Sequence, residues 1–82
     1  MTQYKALVGP QGTESSTWPN RDKARLAVLH GLSVAADVNP VDAAVIEQVM
    51  NHLNEARESF VDYFLFDGEE WTAQYWPDST VE

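Results

Sequence analysis

The sequence predicts an α+β fold in the order strand, helix, helix, β-hairpin (β-α-α-β-β), with the helices packed on one face of a small antiparallel sheet. Three observations carry this expectation. An apolar stripe at three- and four-residue spacing runs from Val45 to Phe60. From Val61 to Trp76 the period shortens to two, around an Asp67-Gly68 turn. The chain has 82 residues, enough for a single domain over 1–82, since independent domains rarely fall below about 50 residues. One helix layer on one sheet layer then buries both stripes.

The elements follow in order. Tyr4-Lys5-Ala6-Leu7-Val8 alternates weakly and closes at Gly9-Pro10, so it reads as a short strand. Residues 9–19 are rich in Gly, Pro, Gln, Ser and Thr without periodicity and read as a loop. Asn20 suits the N-cap of a helix starting at Arg21; Pro19 in the first turn of a helix capped by Thr17 is the alternative. Ala24, Ala27, Val28 and Leu32 give that helix its apolar stripe. Gly31 either ends it as a left-handed residue or lies inside it at a cost of about 1 kcal/mol relative to alanine. Ser33-Val34-Ala35-Ala36 has no turn chemistry, which favours continuation to Ala36.

The second helix has the stronger signal. Asn39 is placed to cap it, Pro40 to occupy its first position and Asp42 to meet the positive helix end, with Val38 stapled to Ala43. Val45, Val49, Leu53, Ala56 and Phe60 form its core stripe, widened by Ile46 and Met50. About 20 residues would make it roughly 30 Å long. The hairpin follows, and Pro77 stops its second strand, leaving 77–82 as a flexible tail.

Seven of the nine aromatic residues lie between Phe60 and Trp76, so the hairpin register decides what faces outward. A two-residue Asp67-Gly68 loop sets Phe64 opposite Trp71. One face then holds Phe64, Phe66, Trp71, Ala73 and Tyr75, and the other holds Val61, Tyr63, Leu65 and Trp76. A three-residue loop sets Leu65 opposite Trp71 and leaves Phe64, Phe66 and Trp76 on the second face. Asp-Gly favours the first, as a type I′ turn. In both, two helices cover one face and little chain is left for the other. Trp76 is on that second face either way.

Charge narrows the partners. Thirteen acidic and five basic side chains give a net −8. Residues 1–25 carry four basic against two acidic groups, whereas Arg57 alone opposes eleven carboxylates in 26–82. Such a field repels phosphate, which argues against direct nucleic-acid binding and against anionic membranes. It favours a protein partner with a basic surface. Nothing approaches the roughly 18 apolar residues of a membrane span, no signal peptide is expected, and a cytoplasmic location follows by default.

Catalytic chemistry finds no support. With no cysteine, thiolate and disulfide chemistry are excluded. His30 and His52 fall on different elements without further ligands, so no metal site and no cofactor are expected. Glu55 is the nearest carboxylate to His52 along the helix. Gly9-Pro10-Gln11-Gly12 lacks the lysine of a phosphate loop, and Ser15, Ser16 and Ser33 lie in no nucleophile motif. Asp62, framed by Val61, Tyr63 and Phe64, is expected to pair with Arg57 or a backbone donor.

Two surface features stand out. Glu47, Asn51, Glu55, Glu58 and Asp62 follow helical spacing, with neighbours about 5–6 Å apart; they read as an ordinary solvated helix face, and imitation of a duplex edge, interrupted at Asn51, is the alternative. Arg21, Lys23 and Arg25 oppose the dipole at a helix start and read as a solvated helix start, with an answer to acids of another element or another molecule as the alternative.

The expected function is therefore a non-enzymatic, protein-binding module. Trp76, Tyr63 and Leu65 would be its apolar anchors, and Glu55, Glu58, Asp62, Glu69 and Glu70 its charged surround. The alternative is self-association as a homodimer through the hairpin face, since small domains gain core by dimerising. In size, acidity and lack of catalytic motifs the chain resembles the small acidic accessory proteins of bacteriophages, which include DNA mimics and inhibitors of host nucleases. The resemblance rests on bulk character and carries over no site.

Overall fold

Asp67 and Gly68 both take positive φ, 53° and 79°, which makes the hairpin loop two residues long and fixes the register. Phe64 lies opposite Trp71, as the Asp-Gly signal favours. The computed structural model describes residues 2–78. In chain order the elements are β1 (Gln3–Pro10), β2 (Ser16–Trp18), α1 (Arg21–Val38), a 3-10 turn (Pro40–Asp42), α2 (Ala43–Glu55), β3 (Phe60–Phe66) and β4 (Glu69–Asp78). The four strands form one antiparallel sheet in the order β2-β1-β4-β3, with both helices packed against it, so the expected α+β class holds.

The core lies between the helices and one sheet face. Ala24, Val28, Leu32 and Ala35 of α1 and Ile46, Val49 and Leu53 of α2 are buried. They meet Ala6 of β1, Phe60, Phe64 and Phe66 of β3, and Ala73 and Tyr75 of β4. Full burial of one of the Val, Leu, Ile or Phe side chains among them contributes about 1.5–3 kcal/mol. Asn20 caps α1 by accepting the Lys23 N–H at 2.9 Å. The helix runs through Gly31, and β1 passes close beneath that residue. A Cβ at residue 31 would come within 3.1 Å of the Val8 Cβ.

Several elements depart from the sequence reading. α2 is 13 residues, about 20 Å, and ends at Glu55. Phe60 belongs to β3, and it is buried because it also fits the period-two face of Phe64 and Phe66. Asn39 makes no side-chain cap; its amide donates to Asp42 at 3.1 Å across the 3-10 turn, and Val38 is exposed rather than stapled. Within the expected 9–19 loop, β1 extends to Pro10, and Ser16–Trp18 forms β2 along Tyr4–Ala6. The Ser16 hydroxyl donates to the Ala6 carbonyl at 3.3 Å and accepts the Trp18 indole N–H at 2.7 Å, which holds that short strand.

Pro77 does not stop β4, which pairs with β1 as far as Asp78. β3 starts at Phe60, opposite Tyr75, so past that point β4 has one neighbour only. A residue without an N–H is tolerated on such an edge. Of the expected tail at 77–82, the first two residues are thus strand, and 79–82 lie outside the described residues. Among the described residues no helix is long and apolar enough to cross a membrane.

Candidate functional site

Strand alternation sends every second side chain away from the helices. On β3 these are Val61, Tyr63 and Leu65; on β4 Glu70, Thr72, Gln74 and Trp76; on β1 Lys5 and Leu7. The register aligns them in cross-strand rows: Leu7, Gln74 and Val61 in one, Thr72 and Tyr63 in the next, then Glu70 and Leu65. Trp76 stands opposite Lys5, whose ammonium lies 4.0 Å from Asp78.

Val61, Tyr63 and Leu65 are 50%, 65% and 67% exposed, whereas Leu7 and Trp76, the latter expected as the leading contact residue, are half-buried. All three exposed residues sit on β3, one of the two edge strands. The apolar part of the face is thus concentrated at one margin of the sheet, with the polar Thr72 and Gln74 toward its centre.

The expected acidic residues do not gather around these anchors as one ring. Glu70 shares their face, directly opposite Leu65. Glu69 is exposed beside the turn, opposite Phe66. Glu55 ends α2 and Glu58 lies in the connection to β3, both exposed at the other end of the hairpin.

Asp62 points the other way, toward α2. Its carboxylate meets His52 Nδ1 at 2.7 Å. For Asp62 the expected Arg57 or backbone donor gives way to this contact, and His52 finds Asp62 rather than its nearest helix carboxylate Glu55, because β3 brings residue 62 back alongside α2. The acidic row from Glu47 to Asp62 is also broken: it requires a helix through residue 62, and α2 ends at Glu55. The basic group separates as well. Arg25 donates to the Asn54 carbonyl at 3.2 Å and Arg21 lies 3.8 Å from Asp22, while Lys23 enters no ion pair among the described residues.

Among the described residues no three His, Asp or Glu side chains converge on a point that would hold a metal ion. Burial pushes the Tyr75 phenol above 10.0, against the opposing pull of Arg25 and Arg21; Tyr4 and Asp22 add smaller upward contributions. Its hydroxyl donates to the Arg57 carbonyl at 2.8 Å, tying the α2–β3 connection to the sheet. That role is structural. Comparison with protein-family models, with curated proteins and with solved structures returned no match.

Proposed function

We propose that this chain is a non-enzymatic protein-binding module that docks through the open face of its sheet onto a partner with a basic surface, of the kind that itself binds nucleic acid. The exposed row Val61, Tyr63 and Leu65 beside Trp76 carries this reading. Apolar surface left uncovered on a small domain marks interaction sites, and aromatic anchors dominate binding energy at such surfaces. The net charge of −8 supplies long-range attraction to a basic partner, and Glu70 and Glu69 give that attraction a local position beside Leu65. Binding would block the partner's surface by occupying it. Soluble accessory proteins that inhibit in this way need no catalytic group.

The test compares the immobilised wild-type chain with a Tyr63→Ser/Leu65→Ser variant, challenged with lysate of the source cells at low and at high salt. Both substituted residues are exposed, so the variant should keep the wild-type melting curve. The reading expects a bound protein that salt releases and that the variant fails to hold. Screening over about 8–10 Å at moderate ionic strength sets that salt response. Retention that ignores both salt and the double substitution would overturn it.

A further inference from the structure

The outward side of α1 carries a second apolar row. Leu26, His30, Val34 and Val38 recur every four residues, which lines them up along one ridge of the helix. Leu26, Val34 and Val38 are 58%, 46% and 77% exposed, where a helix burying only its opposite face would carry polar groups. Hollows flank the ridge at both ends. One of about 600 Å³ lies beside Val34 and Val38, floored by Val8, Phe66 and Trp71. Another of about 350 Å³ lies beside Leu26, against Trp18. His30 borders both.

Lys23 and Asp37 stand exposed at opposite ends of the same ridge. Neither side chain enters an ion pair among the described residues. Their signs are opposite, and each lies seven positions from His30.

We infer that a second copy of this chain docks on the ridge, α1 against α1 in antiparallel orientation, with a two-fold axis at His30. In that register Leu26 of one copy lies beside Val34 of the other, and Lys23 of one faces Asp37 of the other, twice over. A parallel arrangement would set Lys23 beside Lys23 and Asp37 beside Asp37. The ridge is therefore charge-complementary to itself in one orientation only, as an isologous interface requires. Two copies of a chain with net charge −8 repel, so contact needs a local attraction, and the paired Lys23–Asp37 contacts supply it. An 18-residue helix offers about 27 Å of contact, so the dimer is weak and depends on concentration. This surface is separate from the open sheet face, and the dimer does not depend on that face binding a partner.

Sedimentation of the full chain across a wide concentration range tests the inference. The wild type should pass from monomer to dimer. Lys23→Glu alone should abolish the dimer by setting two acidic groups together, and Asp37→Lys alone should do so with two ammonium groups. An equimolar mixture of the two single variants should dimerise, because each then supplies the charge the other lacks. All substituted residues are exposed, and circular dichroism would confirm that the variants fold. A strictly monomeric wild type would overturn the inference. So would a dimer indifferent to both substitutions, or single variants that fail to complement one another.

Discussion

The Asp42 carboxylate accepts the Asp67 backbone N–H at 2.9 Å, tying the start of α2 to the tip of the hairpin 25 residues away. The same carboxylate oxygen holds the Asn39 amide at 3.1 Å. One side chain thus orders both the turn before α2 and the loop that sets the hairpin register. Asp42→Ala is expected to cost about 1 kcal/mol, a hydrogen bond to a charged acceptor discounted for exposure at the tip. In a domain of this size that lowers the melting temperature by about 4–8 °C. Asp42→Asn keeps an acceptor oxygen and should recover most of the loss. Thermal melts by circular dichroism check both, and an alanine variant melting with the wild type would remove the tie from the account.

At Gly31 two effects oppose each other. Alanine favours a helix interior by about 1 kcal/mol over glycine. Overpacking a close contact costs about 1–3 kcal/mol. The added methyl would meet Val8 at its Cβ, the root of the side chain, so relief requires β1 itself to move. Gly31→Ala should therefore be less stable than wild type, by about 1 kcal/mol. A raised melting temperature would mean that strand and helix separate easily.

These two contacts bear on what was legible in the chain. The hairpin register was readable because Asp67-Gly68 specifies a turn and the period-two pattern then assigns each face. Asn20 announced the start of α1, and the lack of turn residues after Gly31 announced its continuation. The end of α2 was not readable, since Phe60 satisfies the helical stripe and the β3 face equally well. β2 has only three residues, too few for any period to register. Pro77 within β4 and the His52–Asp62 pair both depend on which strand or helix lies alongside, and that is settled only by tertiary packing. The exposed Val61, Tyr63 and Leu65 followed from register alone, whereas the scattered positions of Glu55, Glu58 and Asp62 followed from the early end of α2.

Asp62 is an inward-facing charge on an edge strand, one of the devices that keep open sheet edges from pairing with other chains. Its contact with the exposed His52 contributes no more than about 1 kcal/mol. Asp62→Val exchanges that contact for a better strand former, so the melting temperature should change little. Solubility should fall, because the remaining strand Phe60–Phe66 then carries no charge. Light scattering at rising concentration measures this. Equal scattering from both proteins would show that the edge is guarded by something other than Asp62.

Tyr75 gives the fold an alkaline limit. Its side chain is fully buried, and burial disfavours the phenolate, so its pKa in the folded chain lies above the ordinary 10.0. A group whose pKa is raised on folding contributes stability that is complete below the unfolded value and is lost as pH rises toward and through the folded one. Tyr75→Phe removes that dependence and also removes the hydrogen bond to the Arg57 carbonyl. At neutral pH the variant should be about 1 kcal/mol less stable than wild type. Above pH 10 the gap should narrow, because only the wild type loses stability through this residue. Urea unfolding at neutral and at alkaline pH measures the gap, and a difference that stays constant or widens would show that the phenol ionises in the folded chain as easily as in the unfolded one.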